Sequence, residues 1–462
     1  MEVREDLPRP AAERHVLLTG GTGFVGKVVL SELLRRREEL GITTVYQLIR
    51  PRKGLSPEER FAEMAGSPCF ENLPSDWQSH CRVVSGDICE PGLGLAEADR
   101  ENLQGRLTEI LHCAASVQFN LPLVEATRIN VEGTLSVLDF ARDCRMLRAM
   151  VYVSTAYVTP HPGDAVTIPE VLHPLPMDVE ALHAAIRAGK ADEKALLAQT
   201  GHSNTYTFTK CLAENLVAKH QGGVPLVILR PSIIAACQER PLAGWIDSKA
   251  AYAAFVSLYG AGYLHAFQAK LESRLDIIPC DAVADRLLAL GFDSAWPRSD
   301  RPAIVQAVAG YANSSTIVQA RNSWDPFFQP WPGEPRPYLA YMGPDRAKLR
   351  RALFWHHELP LTLQQMAVWL VGRKRQAERI GRLKKALRSI DEVFPYFTRN
   401  TFRFDSALPL ADDFDVTAYL ATVCQGVRRH LLKRDVRIVP QASPASAPAA
   451  RAVAGASESS AG

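Results

Sequence analysis

Long hydrophobic runs are missing from this chain of 462 residues, and no apolar stretch reaches the roughly 18 residues that a membrane-spanning helix needs. The longest candidate near the C-terminus, 366–371, is far too short. The N-terminus is charged, contains prolines and lacks the apolar core of a targeting peptide. These absences predict a cytoplasmic protein, with peripheral contact to a membrane left open.

Paired cysteines and a strong net charge are missing as well. None of the nine cysteines forms a CxxC pair, and an odd count without a signal peptide indicates reduced thiols rather than a disulfide framework or a zinc site. The net charge of +3 gives no global field that would attract nucleic acid. We therefore expect neither a metal site nor a nucleic-acid partner.

What the chain does contain, over its first 290 or so residues, is an alternation of short β-branched runs with helical stretches. Apolar runs that do not alternate are typical of strands buried on both faces of a parallel sheet. The pattern predicts a Rossmann-type doubly wound α/β fold with a smaller, mostly helical C-terminal domain. The predicted strands are 15–19, 45–49, 82–85, 109–113, 150–154 and 226–229.

A glycine-rich turn follows the first predicted strand and opens a helix. Gly20, Gly23 and Gly26 give a GxxGxxG pattern, in which the first glycine permits the tight turn and the second lets the backbone approach a pyrophosphate. The third lets the helix pack closely on the sheet. The pattern predicts a dinucleotide site whose lining includes the residues between and beside the glycines, Thr19, Thr22, Phe24 and Val25.

The residue at the end of the second strand bears on which dinucleotide binds. NAD-binding proteins place an acid there for the ribose hydroxyl, whereas this chain has Arg50 and no acid before Glu58. A cation pairs with a 2′-phosphate and a carboxylate repels it, so we expect NADP(H). Asp87 and Ile88, after the third strand, are expected to flank the adenine.

Tyr206 and Lys210 form a candidate proton-transfer pair, because a helix places residues i and i+4 on one face. A cation at ~5 Å, with an effective dielectric of ~20, should stabilise a phenolate by about 3 kcal/mol, or about two pKa units. That effect predicts a phenol whose pKa is lowered towards the range of a general acid. Thr155, with Ser154 as the alternative, ends a predicted strand and is expected to hold a substrate oxygen beside the tyrosine.

These residues together resemble the extended short-chain dehydrogenases/reductases. Finer strings resemble one group among them, the fatty acyl-CoA reductases, and the similarity extends from about residue 14 to 290. The strings are 48–51, 112–116, 152–157, 205–210, 230–234, 244–247 and 276–279, with a weaker continuation through 397–404 and 414–415.

The resemblance implies NADPH-dependent reduction of a long-chain fatty acyl-CoA to the primary alcohol through an aldehyde, with release of CoA. It implies catalytic roles for Thr155, Tyr206 and Lys210, and for Asn130 either a place in the proton path or a helix-packing role. For His112 and Cys113 packing roles are favoured over catalysis. The resemblance also adds residues to the cofactor site, which then includes Ala114, Ala115, Tyr206, Lys210 and Pro231.

The chain departs from the family pattern at Ala235 and Ala236, where a glycine is usual, and at 303–308, which lacks the usual Tyr-His pair. Three other functions stay open: an acyl-thioester reductase that stops at the aldehyde, an extended-family dehydrogenase or epimerase acting on another substrate, and a sensor that binds NADPH without catalysis. Loss of Tyr206 or Lys210 would mark the sensor, and both residues are present.

Composition changes along the chain predict its domains. Pro and Trp cluster at 324–335, and the end of the chain is rich in Ala, Ser and Pro. We expect aromatic residues of the C-terminal part, among them Trp355, Trp369, Phe394, Phe397 and Phe402, to pack on the substrate side of the nucleotide domain. The predicted parts are an N-terminal extension (1–13), an NADP-binding reductase domain with substrate-binding insertions (14–300), an irregular linker (301–344), a helical domain (345–436) and a disordered tail (437–462).

A basic stretch follows the short apolar run near the C-terminus. Eight Lys/Arg and one acid, Glu378, lie between 373 and 388. Such a stretch suits the surface of an anionic membrane, the phosphates of CoA, or the solvated face of a helix that covers the active site. The sequence leaves these three interpretations open, and it gives no information on oligomeric state.

Overall fold

The computed structural model describes residues 13–52, 54–292, 301–328, 337–411 and 413–434. The expected N-terminal extension, apart from Glu13, and the expected tail lie outside the described residues. The strands are β1 (Arg14–Thr19), β2 (Ile42–Ile49), β3 (Cys81–Ser85), β4 (Glu109–His112), β5 (Ala149–Val153), β6 (Thr167–Ile168), β7 (Leu226–Pro231), β8 (Ile233–Ala235), β9 (Ala266–Gln268), β10 (Arg274–Leu275), β11 (Ile277–Pro279), β12 (Ala303–Ala307), β13 (Ser315–Thr316), β14 (Tyr341–Gly343) and β15 (Arg403–Phe404).

The helices of the described ranges flank these strands or follow them. They are α1 (Phe24–Arg35), α2 (Arg37–Leu40), α3 (Pro57–Ala65), α4 (Glu97–Arg106), α5 (Leu123–Thr127), α6 (Gly133–Arg142), α7 (Val179–Arg187), α8 (Glu193–Thr200), α9 (Thr205–Lys219), α10 (Ala251–Gly260), α11 (Cys280–Phe292), α12 (Ile317–Asn322), α13 (Arg346–Leu353), α14 (Leu359–Leu370), α15 (Lys374–Val393), α16 (Pro395–Thr398) and α17 (Val416–Gly426). Three π-helical turns join or extend them at Arg128–Glu132, Phe354–Glu358 and Val427–Leu431. No helix in these ranges has the length and apolar character needed to cross a membrane.

Seven of the described strands form one parallel sheet in the order β12-β7-β5-β4-β1-β2-β3. Its inner strands are buried on both faces, as their sequences predict: Leu17 packs with α6 and α9, whereas its neighbours Val16 and Leu18 pack with α1 and α11. The chain leaves β1 for β2 on one side and returns to β4 on the other. This reversal creates a crevice at the carboxyl ends of the strands, which is where doubly wound sheets bind ligands.

The Rossmann-type fold predicted from the sequence is confirmed, and all six predicted strands are present with end points that move by three residues or fewer. The predicted linker at 301–344 is wrong in its first part. Residues 303–307 form β12, which pairs with β7 throughout its length and is an edge of the central sheet. The sequence concealed this strand because it is only five residues long and its Gln306 is polar, although buried.

The C-terminal helices pack into the core of the preceding residues. Leu361 of α14 and Leu387 of α15 share one buried cluster with Phe255 of α10, and Tyr419 of α17 belongs to the same cluster. The two-residue strand β15 pairs with β6, and β14 pairs with β9. The C-terminal helices therefore complete the core of the first 300 residues, and removing them would expose it.

Candidate active site

The glycine turn lies at the carboxyl end of β1, beside the ends of β4 and β5. Gly20 has φ +74°, and a Cβ there would lie 2.7 Å from the Ala114 nitrogen. A Cβ on Gly26 would lie 2.2 Å from the Gly20 carbonyl oxygen, so α1 can pass this close only with glycine at that position. Gly23 precedes α1 without a side-chain cap, which leaves the first amides of the helix to an anion. These features fit the pyrophosphate of a dinucleotide.

A cavity of about 220 Å³ extends from this turn towards the ends of β2 and β3. It brings together most of the residues predicted for the nucleotide. They are Thr19, Gly20, Thr22, Gly23, Arg50, Asp87, Ile88, Ala114 and Ala115. Ile88 is buried against Gly133, where a Cβ would lie 2.7 Å from the isoleucine Cδ1, so the floor of the cavity is closely packed.

Three arginines line the far end of the nucleotide cavity: Arg50, Arg52 and Arg60. Arg60, on α3, donates one hydrogen bond to the Arg50 carbonyl and another to the Thr22 hydroxyl at 3.3 Å. Burial, and then the charges of Arg50 and Arg52, lower the pKa of Arg60. Mutual repulsion of this kind is relieved when a phosphate binds among the cations. Sequence reasoning missed Arg60, because it comes from a different element, ten residues beyond Arg50.

An acid does reach Arg50, although none follows it closely in the sequence. Asp87 accepts a hydrogen bond from the Arg50 guanidinium at 3.3 Å, and its other oxygen accepts one from the Cys89 amide at 3.1 Å. The carboxylate comes from the end of the neighbouring strand β3. Asp87 therefore partly neutralises Arg50 at the edge of the cavity. The described hydrogen bonds of Arg60, by contrast, go only to neutral oxygens.

Tyr206 and Lys210 both lie on α9, which begins after the capping side chain of Asn204. The Lys210 ammonium does not contact the phenol. It donates a hydrogen bond to the Val153 carbonyl at 2.8 Å and lies 4.6 Å from the centre of the Tyr152 ring. The ammonium group therefore lies at the carboxyl end of β5.

The expectation that Lys210 lowers the pKa of Tyr206 is wrong for this arrangement. Burial raises the pKa of Tyr206 to about 12, and a hydrogen bond with Thr155 only partly opposes the shift. Burial also lowers the pKa of Lys210 to about 7, opposed by the nearby charge of Glu214. Loss of hydration outweighs the attraction between the two groups. At neutral pH the phenol therefore keeps its proton, which is the state that a proton donor requires.

Glu214 and Arg230 form a buried ion pair behind Lys210. The Arg230 guanidinium donates to both oxygens of Glu214 at 2.5–3.2 Å and to the Val171 carbonyl at 3.0 Å. Glu214 lies one helical turn after Lys210, so the spacing of Lys210 and Glu214 at i and i+4 was the available signal. The pair gives Lys210 a fixed charge environment in the interior.

Asn130 lies in the π-helical turn after α5 and acts as a clamp. Its side-chain oxygen accepts from the Ser116 amide at 2.8 Å, while its nitrogen donates to the Ser116 carbonyl at 3.2 Å and to the Thr209 hydroxyl at 3.1 Å. It lines neither of the cavities described here. These contacts support the packing role that the sequence left open, and they fix the loop after β4.

His112 is held by hydrogen bonds in the interior, whereas Cys113 lines both cavities. The His112 ring bridges the Thr19 hydroxyl at 2.7 Å and the Thr134 hydroxyl at 3.2 Å. Burial lowers the pKa of His112 to about 3, so the ring is neutral. Burial raises the pKa of Cys113 to about 12, which leaves it a thiol. Among the described residues, no group of three or more His, Cys, Asp or Glu is placed to hold a metal ion.

A second cavity, of about 320 Å³, opens from the glycine turn on the side of Tyr206. Thr155, Ser154 and Tyr206 lie on its wall, together with Phe24, Val25 and Pro231, which the sequence assigned to the cofactor. The rest of the lining is predominantly apolar and includes Val117, Phe119, Ile233, Tyr252, Phe255, Phe267, Leu275, Ile317, Trp324, Phe394 and Phe397.

Aromatic side chains from the C-terminal part close this cavity over the tyrosine. The Phe119 ring lies 5.5 Å from that of Tyr206, and Phe394 and Phe397 lie 5.7 and 5.8 Å from Phe119. Phe402 packs on Tyr157, as expected for an aromatic residue directed at the substrate side. The expectation is wrong for Trp355 and Trp369, which are exposed.

Comparison with known proteins gives a consistent result. The sequence model of the family described as male sterility protein matches residues 18–287. The chain is similar to the fatty acyl-CoA reductase wat of Drosophila melanogaster, with 29% identity over 85% of this chain and 76% of that protein. It is similarly related to fatty acyl-CoA reductase 1 of Xenopus laevis, with 29% identity over 93% of this chain and 87% of that protein. Its fold matches the terminal R domain from the myxalamid PKS-NRPS biosynthetic pathway, with 21% identity, 91% of each chain covered and a TM-score of 0.61.

Proposed function

The chain belongs to the fatty acyl-CoA reductases of the male sterility protein family, and we propose that it uses NADPH to reduce a long-chain fatty acyl-CoA through the aldehyde to the primary alcohol. Membership makes it an oxidoreductase that acts on acyl thioesters and binds a nicotinamide dinucleotide. The observation that carries the finer proposal is that two cavities share the glycine turn, with Tyr206 on the wall of the second. The first is lined by three arginines, and the second is predominantly apolar.

NADPH fits the first cavity better than NADH because of Arg60. Its guanidinium lies beside Thr22 and Arg50, at the end of the cavity opposite the active-site tyrosine. A 2′-phosphate there would accept charge-assisted hydrogen bonds, each worth about 1.5–3 kcal/mol. Asp87 would meet the ribose of either cofactor and does not by itself choose between them.

The acyl chain fits the second cavity because its wall is built from aromatic and aliphatic side chains. An alkyl chain gains about 0.8 kcal/mol for each methylene group that leaves water. A nucleotide sugar, the substrate of the epimerase alternative, would place several hydroxyl groups against Phe255, Phe394 and Phe397 without partners. Polar groups buried in that way cost free energy, so the lining favours the lipid.

In the proposed reaction one NADPH would supply a hydride for the thioester and, after exchange of the oxidised cofactor, a second NADPH would supply a hydride for the aldehyde. The hydroxyls of Thr155 and Tyr206, on the wall of one cavity, would polarise the carbonyl oxygen. Addition to the thioester carbon gives a hemithioacetal, whose C–S bond then breaks to release CoA thiolate and the aldehyde. In the second reduction Tyr206 would donate its proton to the alkoxide, and the phenolate would take up a proton from solvent before the next cycle.

Product analysis tests this function. The purified protein should convert palmitoyl-CoA and NADPH to hexadecanol and free CoA, with two NADPH consumed for each CoA released. Gas chromatography separates hexadecanal from hexadecanol, and a thiol reagent measures CoA. Accumulation of hexadecanal with one NADPH for each CoA would instead establish the aldehyde-forming alternative. Consumption of neither substrate, with the protein folded and NADPH bound, would exclude acyl-CoA reduction.

A further inference from the structure

The C-terminal helices present an apolar stripe to solvent. Leu363, Met366 and Leu370 of α14 are spaced at i, i+3 and i+7, and all three are exposed. Trp369 and Val371 continue the stripe to the end of the helix. Exposure is greatest there, at 63% for Trp369, 73% for Leu370 and 68% for Val371. We call these five residues and the turn that follows them the α14 tip.

Two further aromatic residues lie just before α14. Phe354 and Trp355, in the π-helical turn, are 51% and 57% exposed. No described residue covers either of them or the α14 tip. A soluble surface rarely leaves so many large apolar side chains together in water, since their burial elsewhere would stabilise the protein by about 1.5–3 kcal/mol each.

The exposure does not come from a loose segment, because α14 and α15 are joined along their inner sides. Gln365 donates to the Ala377 carbonyl at 3.1 Å, and Lys384 donates to the Thr362 hydroxyl at 2.8 Å. Arg388 binds both oxygens of Glu358 at 3.0 and 3.1 Å. The inner faces reach the protein core through Leu361 and Leu387. The apolar stripe is thus the outer face of an ordered pair of helices.

Cations are concentrated in the same part of the chain as the stripe. Residues 346–388 contain twelve Lys/Arg and two acids, a net charge of +10. The whole chain carries +3, so the residues outside this range together carry −7. Arg373, Lys374 and Arg375 follow the α14 tip directly and are exposed. One of the two acids, Glu358, is already paired with Arg388.

We propose that the α14 tip docks on the surface of a bilayer that contains anionic lipid. Exposed Trp and aliphatic side chains insert at the boundary of head groups and acyl chains, and Lys and Arg beside them pair with lipid phosphates. The charge separation within the chain orients the basic face towards such a surface and the acidic remainder away from it. A protein partner would need its own apolar patch ringed by acids, whereas an anionic bilayer supplies both features everywhere.

This surface overlaps the 366–388 stretch that the sequence indicated, and the structure changes which of its residues are available. Within the basic stretch, Lys384 already donates a hydrogen bond to Thr362, and Arg388 is already paired with Glu358. The exposed cations of α13, at 346, 348, 350 and 351, were not considered there and belong to the same part of the chain. The apolar contribution comes from the outer face of α14 and not from α15. The inference concerns binding alone and does not depend on which reaction the active site performs.

Vesicle sedimentation with the full chain tests the proposal. Vesicles of phosphatidylcholine alone are compared with vesicles that also contain phosphatidylserine, at low and high salt. We expect binding to the anionic vesicles, weakened by salt because the charges are exposed. Replacing Arg373, Lys374 and Arg375 by glutamine should weaken that binding on the order of 100-fold, at about fivefold for each cation. Trp369→Ala with Leu370→Ala should weaken it at least tenfold.

A matched control carries the same kinds of substitution elsewhere: Lys190→Gln between α7 and α8, Lys194→Gln on α8, and Val171→Ala. All three positions are exposed. The control should bind vesicles like the unaltered protein, and every variant should unfold within about 2 °C of it, since these are surface changes. A blue shift of tryptophan fluorescence on anionic vesicles should disappear in Trp369→Phe combined with Trp355→Phe.

Three results would overturn the proposal. The first is the absence of sedimentation with anionic vesicles, and the second is equal binding to phosphatidylcholine alone. The third is vesicle binding that the tip and cation variants leave unchanged. A concentration-dependent dimer that Trp369→Ala with Leu370→Ala abolishes, without vesicle binding, would assign the same surface to self-association and would likewise refute docking on lipid.

Discussion

Replacing Arg60 by alanine should weaken NADPH far more than NADH. Hydrogen bonds to the Arg50 carbonyl and the Thr22 hydroxyl hold the Arg60 side chain at the rim of the nucleotide cavity. The neighbouring guanidinium of Arg50 is partly engaged by Asp87. Arg60 is therefore a cation at this rim that no carboxylate pairs with among the described contacts, and it can bind a 2′-phosphate, a group that NADH lacks.

The size of the effect follows from the strength of one charge-assisted hydrogen bond. Such a bond contributes about 1.5–3 kcal/mol, and the open rim of the cavity favours the lower part of that range. We expect the dissociation constant of NADPH to rise about 10–30-fold in Arg60→Ala. The constant for NADH should change by no more than about twofold, because the hydrogen bonds lost with Arg60 join parts of the protein and not the cofactor.

Fluorescence titration of each cofactor measures these constants without requiring turnover, and kcat/KM with both cofactors should show the same ratio. Arg100→Ala is the matched control, since Arg100 is an exposed arginine of α4 that pairs with Glu97. Arg50→Glu should also weaken NADPH more than NADH, by tenfold or more. Parallel losses for the two cofactors in Arg60→Ala, or equal kcat/KM values in the unaltered protein, would refute the reasoning.

Three further predictions concern catalysis, chain length and pH. Tyr206→Phe should lower aldehyde reduction 10²–10⁴-fold with NADPH binding retained; retained turnover would mean that the proton comes from another group. Phe394→Ala combined with Phe397→Ala should raise KM for long acyl-CoA more than for short, and parallel rises would contradict a role in covering the chain. Asp391→Asn should stabilise the protein at alkaline pH, because burial, then the charges of Glu392 and Glu358, raise the pKa of Asp391 to about 7. Between about pH 4 and 7 the folded state holds a proton that the unfolded state has lost, so stability falls as pH rises and the gain in Asp391→Asn should grow to about 2–4 kcal/mol. If the unfolding midpoints of Asp391→Asn and the unaltered protein differed by the same amount at pH 4 and at pH 8, this assignment would be contradicted.

The central part of the fold could be predicted because its signals are local. Gly20 requires a positive φ and meets Ala114, so the glycine turn is fixed by sterics that the sequence displays directly. Tyr206 and Lys210 are one helical turn apart, and any helix places them on one face. The buried strands show their environment in their composition, since both faces need apolar residues.

What the sequence did not provide depends on contacts between distant segments. The positions of Arg60 and Asp87 relative to Arg50 depend on how α3 and β3 pack beside β2. The pKa of Lys210 depends on the depth of its burial and on Glu214. The prediction made from the sequence considered only the electrostatic attraction between Tyr206 and Lys210, so it included neither effect. The C-terminal helices resembled a separate domain because their apolar residues gave no indication of which surface they cover.

The central claim is that one active site, at Tyr206, carries an acyl thioester to the alcohol with NADPH. The most direct measurement is a single reaction of the purified protein with palmitoyl-CoA, in which NADPH oxidised, CoA released, hexadecanal and hexadecanol are all quantified, and Tyr206→Phe is run in parallel. The account predicts two NADPH and one hexadecanol for each CoA in the unaltered protein, with the products sharply reduced in Tyr206→Phe. Hexadecanol formed at the same rate by Tyr206→Phe, or the absence of any acyl product from the unaltered protein, would contradict it.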